Sequence, residues 1–418
     1  MPVAFPPKSG DWRDEKFGMS SIFSWLRKPS KTKRLKRGAT GEVSTLPSTQ
    51  FAFSLFEALR PGNRNLAISP YSARVVLAML CEGATGETRR SMVETLHLDE
   101  NPDNLSNHFE RLGRPLGFQL ETETERRGLE MLTANSLWCD DGFVPKQSYV
   151  ETLKEHYWAE VQTLDFRDPV SAGRVNSWAQ EKTRGRIPAL VDSLRPFSPL
   201  VTMNAVYFKG LWKEPFELHD TQEEEFILQD GTKQLAPLMR QSGEFRYAEI
   251  GGAQIISLPY KGGMSMCVAL PPKEMPFPKF CAELTSIVGT RWTRAMGERD
   301  GHLRLPRFRI ETQADLSAPL KALGMSQVFD PARATLEGIS DRKPLYLMGV
   351  MQKDFVEVNE KGTEAAAVTM LMEGSEMIEE PPPPPFVMIV NRPFVFAICD
   401  DFSGVVVFLG GVVDPLAG

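Results

Sequence analysis

Residues 360–391 read EKGTEAAAVTMLMEGSEMIEEPPPPPFVMIVN, and their first half alternates in a way that suits a strand. Taken with a period of two, Thr363, Ala365, Ala367, Thr369 and Leu371 share one face, and Glu364, Ala366, Val368 and Met370 share the other. The chemistry open to such a segment is backbone hydrogen bonding. Apart from Glu364 its side chains are small, β-branched or apolar, and residues 363–371 contain neither glycine nor proline. Gly362 stands at the front as a permissive hinge, and a run of five prolines closes the segment. A loop of this length inside a compact domain is uncommon and usually functional. A loop able to become a strand is a switch.

Groups that could catalyse do not assemble along the chain. There is no HExxH, P-loop, GxSxG or GxGxxG. His97, His108, His156, His219 and His302 stand apart, none beside a nucleophile or in metal-ligand spacing, and each reads as a surface or capping residue. Cys81, Cys139, Cys267, Cys281 and Cys399 are scattered singly, without a CxxC. That pattern argues against a zinc site or a disulfide framework and favours a reducing compartment. The sequence therefore points away from an enzyme, and it implies no metal and no cofactor.

The elements that must position the loop can be read in order. From Ser48 the chain turns helical, with Phe51, Leu55 and Leu59 on one face. Ser69 before Pro70 is a helix start, a hydroxyl cap followed by proline at the first helical position. Val75, Val76, Met79 and Leu80 predict its buried face, and Gly83 its end. A further helix runs from Gly86 to about Leu96. MLTANSLWCDDGF predicts a strand carrying Asn135 and Trp138; VNSWAQEKTRGRI predicts a helix with a Thr-Arg-Gly turn. Residues 200–216 predict a strand leading to an anchored Trp212. QIISLPY, SMCVALPP, HLRLPRFRIE and LYLMGVMQKDFVEVN predict strands, LSAPLKALGM a helix, and PFVFAICD and GVVVFLGGVVD two last strands. Helices and strands without a regular βαβ alternation give an α+β class.

Composition sets outer bounds. The chain has 418 residues, is 42% hydrophobic and carries a net charge of −6, so it can bury a large core and nothing global points to nucleic acid. No apolar run reaches transmembrane length, and IFSWL is too short for a secretory core, which favours the cytoplasm over secretion. Residues 1–44 read as a disordered extension. Within it RKPSKTKRLKR, from Arg27 to Arg37, carries seven basic residues. It reads either as a weak contact for a polyanion or an anionic membrane, or as a solvated tail.

From residue 48 to 415 the sequence resembles the serpin family. The resemblance rests on NLAISPYS, TANSLW, VNSWAQEKTRGRI, NAVYFKGLW, LPY followed by SMCVALP, PRFRIE, EKGTEAAAVT, NRPFVF and VFLGGVVDP, in that order. It implies a single α+β domain over residues 45–416, with three β-sheets, about nine helices and an exposed reactive-centre loop at about 360–391. It also implies a monomeric suicide substrate of a serine or cysteine protease, whose cut loop inserts into the main sheet and traps the acyl-enzyme. Strand insertion of this kind is a known switching mode of the family. About 15 inserted residues at 3.3 Å each would carry the protease some 50 Å. The hinge would be Glu360, Gly362, Thr363, Glu364, Ala365, Ala366, Ala367 and Thr369, with inward side chains small enough to enter.

Glu376 is the seventeenth residue counted from Glu360. The family's spacing then puts the reactive bond at Glu376–Met377, which suits a Glu-preferring or elastase-like protease. By the same resemblance Asn65, Ser69, Ser72, Asn204 and Gln352 form the shutter that opens the sheet, and Trp212 marks the breach where the loop enters. Three features depart from the family. Gln352 stands where a histidine is usual, which removes a proton-binding site. Glu373 falls on the inward face, where its carboxylate would be costly to bury. The exit carries Glu379, Glu380 and the proline run, which extends as polyproline II. Glu373 and the long exit also keep open a non-inhibitory serpin that serves as protease substrate, binding or chaperone-like module.

Overall fold

Helix α1 (Pro47–Leu59) buries Phe51 and Leu55 completely and leads to the short strand β1 (Leu66–Ile68). Ser69 then caps α2 (Pro70–Gly83): its hydroxyl accepts from Ser72 N at 3.3 Å, and Pro70 takes the first helical position as expected. The buried face expected for α2 is wider than its spacing suggests. Every residue but Glu82 is buried, as befits a helix running through the core rather than along its surface. Helix α3 (Gly86–Leu96) follows, and the Arg74 guanidinium of α2 donates to the carbonyls of Leu96 and His97 at its end. The computed structural model describes residues 47–59, 62–98, 128–196, 198–287, 295–362 and 384–417, all in the unit Ser44–Gly418.

The rest of the chain supplies β2 (Leu129–Asp140), α4 (Gln147–Tyr157), β3 (Glu160–Leu164), α5 (Val170–Lys182) and β4 (Leu200–Gly210). Then come β5 (Gln222–Ile227), β6 (Lys233–Ile250), β7 (Ala253–Pro259) and β8 (Met264–Leu270). β9 (Gly297–Pro306), β10 (Phe308–Asp315), β11 (Gly349–Val358), β12 (Phe386–Ile389), β13 (Phe394–Asp400) and β14 (Val406–Val412) complete the strands among the described residues.

Five strands form a central sheet in the order β10-β11-β4-β2-β3. One face packs on α5 through Trp138 and Trp178, edge to face at 5.6 Å; the other meets α2 and the main core. The remaining nine strands form one hydrogen-bonded network. The expected α+β serpin architecture thus appears with two of its three sheets joined. The join is β6, which is long enough to pair with β5 and β9 along most of its length and with β7 over Arg246–Ile250.

Three segments differ from expectation. HLRLPRFRIE is two strands, because the chain changes sheets at Arg307: β9 pairs with β6, and β10 with β11. The strand expected to begin near Leu345 begins at Gly349. Leu345 and Leu347 are buried, but as loop anchors, with Leu347 N donating to Val328 O. In LSAPLKALGM only Ser317–Leu320 is α-helical; Lys321–Met325 follows as a wider turn.

Candidate functional site

The site is a seam with a latch at its end. β4 and β11 lie side by side and parallel, registered from Val201↔Gly349 to Phe208↔Val356. β4 is buried almost throughout, while β11 alternates, its even-numbered residues inward. Parallel ladders are slightly weaker per residue than antiparallel ones. A strand arriving from the end of β11 would run antiparallel to both neighbours, so the seam's orientation admits one more strand.

On the inner face a buried amide cluster ties the seam to α2. Gln352 Nε2 donates to Ser69 O at 2.9 Å and to Asn204 Oδ1 at 3.2 Å, while Ser69 N donates to Gln352 Oε1 at 3.2 Å. Asn204 Nδ2 donates to Ser72 Oγ and to Asn135 Oδ1, and Ser69 Oγ donates to Val407 O at 2.8 Å. Ser69, Ser72, Asn204 and Gln352 therefore come together. Asn65 does not join them. Its amide accepts from Val413 N and Asp414 N and donates to Asp414 O, pinning the C-terminal turn instead. Asn135, seen in the sequence only as a strand residue, takes its place in the cluster.

The latch holds residues 359–362 over the upper end of the seam. Glu360 is 5% exposed; its carboxylate meets the Arg307 guanidinium and accepts from Thr221 Oγ1. Its carbonyl accepts from Phe216 N at 2.9 Å. Trp212 Nε1 donates to Asn359 O at 2.9 Å, and Trp212 N to Lys361 O at 3.3 Å. Trp212 itself stacks on Tyr260, ring centroids 4.2 Å apart. Gly362 has φ +67°, and a Cβ there would lie 2.2 Å from Trp212 N, so both conformation and space demand glycine. Trp212 thus packs beside Lys361 and Gly362.

Asp354 is the feature the sequence hid. It is fully buried, two residues from Gln352 on the inner face, and neither carboxylate oxygen has a hydrogen-bond partner. Burial raises its pKa well above the ordinary range. The nearby Ser69 N–H, already donated to Gln352, offsets this only in part. A lone acid in a strand ordinarily marks a solvated face, and nothing in the local sequence distinguishes this one.

Thr363, Glu364, Ala365, Ala366, Ala367 and Thr369, the bond Glu376–Met377, and the segment from Arg27 to Arg37 lie outside the described residues. The far side of the loop is shorter than the expected span to 391, because Phe386–Ile389 is a strand, parallel to β9. Phe386 stacks on Tyr247 at 3.8 Å, and Arg299 Nη2 donates to Pro384 O at 3.1 Å. The loop is therefore anchored at both ends.

A family profile described as "Serpin (serine protease inhibitor)" matches residues 47–415. The chain is a serpin. It is 34% identical over 371 residues to an uncharacterized serpin-like protein of Thermococcus kodakarensis, covering 88% of this chain and 85% of that one. It is 31% identical to human antithrombin-III, covering 88% and 81%, and 32% identical to chicken neuroserpin, covering 88% and 91%. Among solved structures, the native state of the thermophilic serpin tengpin superposes with a TM-score of 0.77 at 26% identity, covering 88% of this chain and 93% of that one. Mouse protein-Z-dependent protease inhibitor gives 0.77 at 26%, covering 88% and 96%. The family is one of protease inhibitors rather than catalysts.

Proposed function

We propose that this serpin is a suicide-substrate inhibitor of a serine protease, cut at Glu376–Met377, whose severed loop enters the seam between β4 and β11. The observation that carries the reading is the latch at the end of a parallel seam. Residues 359–362 leave β11 and are held beside Trp212 at the point where a returning chain would meet the β4–β11 ladder. Entry would replace one parallel ladder with two antiparallel ones. Anchoring of β12 supports a requirement for cleavage, since an intact loop is tied at Phe386.

In this mechanism the protease attacks the Glu376 carbonyl and forms an acyl bond, releasing the new amino terminus at Met377. Insertion then moves the acyl-enzyme toward the opposite end of the central sheet before water can hydrolyse the ester. The hinge side chains Thr363, Ala365, Ala367 and Thr369 are small, which limits overpacking as they enter. A Glu-preferring or elastase-like serine protease is the partner that the residue at the bond suits. Incubation with such a protease is expected to give an SDS-resistant complex and a released fragment beginning at Met377. Cleavage without a complex would favour a substrate or binding role instead.

A further inference from the structure

A cavity of about 900 Å³ opens against Trp212 and Phe216, inside the range of ~300–1,000 Å³ that small-molecule sites occupy. Its floor is buried: the apolar side chains of Trp212, Phe216 and Leu258, with the Ser257 hydroxyl, the Asp400 side chain and the thiols of Cys267 and Cys399. The two thiols are same-face neighbours, because Cys267 is registered opposite Ala397, two residues from Cys399, and they are in contact. The rim has a different character. Glu214, Glu244, Glu298 and Asp401 are exposed there, against the cations Lys213 and Arg246. Arg246 lies opposite Glu298 in the β6–β9 ladder, and its charge acts on the Asp401 carboxylate.

Apolar side chains in the floor under an acidic rim fit a small amphipathic cation, with its apolar body on those side chains and its ammonium among the carboxylates. We propose that this cavity binds an arylalkylamine-type ligand and that occupancy steadies the latch. The connection is direct, since the same Trp212 and Phe216 that line the cavity donate their backbone N–H groups to Lys361 O and Glu360 O. A ligand packed on these rings opposes the displacement that would free residues 359–361. The proposal rests on the latch geometry and goes beyond the inhibitory reading, so either can fail while the other stands.

The test uses the full chain and three matched probes: 4-phenylbutylamine, 4-phenylbutanol and 4-phenylbutyrate. By titration calorimetry the amine is expected to bind about fivefold tighter than the alcohol, near the upper end for exposed ion pairs, and the carboxylate more weakly than either. The double substitution Glu298→Gln, Asp401→Asn should bring the amine to the alcohol's affinity and leave the alcohol unchanged. Location is read from alkylation by iodoacetamide. Contact with Cys399 holds the Cys267 thiol below its usual range, whereas burial pushes Cys81 up to about 11 and Cys139 and Cys281 to about 12. The amine should protect Cys267 and leave those three unchanged. Coupling is read from amide hydrogen exchange, which should slow at Trp212 and Phe216 with the amine bound. No binding, equal affinity of the three probes, or protection at Cys81, Cys139 or Cys281 in place of Cys267 would overturn the site; unchanged exchange at both amides would overturn the coupling.

Discussion

Phe355 of β11 stacks on Tyr207 of β4 across the seam, with ring centroids 5.3 Å apart and planes 22° from parallel. The two are registered partners, and each carries a cation: Arg309 lies 4.9 Å from the Phe355 ring and Arg186 5.0 Å from Tyr207. The pair clips the outer face of the seam, while Gln352 and Asn204 clip the inner. The β4–β11 seam is thus fastened on both faces.

The outer clip can be measured by a double-mutant cycle. Phe355→Ala and Tyr207→Ala should each speed unfolding of the intact protein, and the double substitution should show a coupling of about 0.5–1.5 kcal/mol, as aromatic pairs do. Strict additivity in the unfolding rates would mean that the stack holds nothing together.

The inner clip should be more sensitive. Gln352→Ala leaves the Ser69 amide, one Ser69 carbonyl bond and Asn204 Oδ1 without their partner, at a cost of about 1–3 kcal/mol for each group left buried and unsatisfied. The thermal midpoint of the intact protein should fall clearly, whereas Gln222→Ala on the exposed edge of β5 should leave it in place. Equal midpoints would remove Gln352 from any role in closing the seam.

Asp354 predicts a pH dependence with a definite sign. Its folded-state pKa is raised above the unfolded value near 3.9, so the native state holds a proton that the unfolded chain releases. The stability this confers is complete below about pH 3.9 and is lost as pH rises through the folded value. Asp354→Asn keeps the shape without the titration. Its thermal midpoint should gain on that of the parent as pH is raised from 5 to 8; parallel pH profiles would contradict the account.

Arg307 should govern the latch. Breaking a buried ion pair from one side costs about 3–5 kcal/mol, and the 37% exposure of Arg307 places this one at or below the lower end. Arg307→Ala should therefore speed hydrogen exchange at the Phe216 amide, which donates to Glu360 O. Exchange as slow as in the parent would show that the backbone bonds alone secure the hinge.

Local sequence marks structure where the chemistry is local. Ser69-Pro70 announces its helix because cap and first turn are adjacent. Long-range partnerships carry no such mark. Ser69 and Gln352 meet across 283 positions and Arg307 and Glu360 across 53, joined by strand register rather than by spacing. Asn65 and Ser69 lie four residues apart on either side of β1, yet one bonds to the C-terminal turn and the other to Gln352. Asp354 went unnoticed because KDFVEV has a charge on each face of a strand, and only packing reveals which one is inside. The strand break at Arg307 was hidden for a related reason: HLRLPRFRIE alternates without interruption although its halves belong to different sheets.

The central claim is that the severed loop becomes a strand between β4 and β11. The thermal midpoint of the protein after cleavage at Glu376–Met377, compared with that of the intact chain, tests it most directly. A large upward shift, with the cut molecule surviving temperatures that unfold its parent, is the predicted result. A cut molecule that melts at or below the intact one would contradict it.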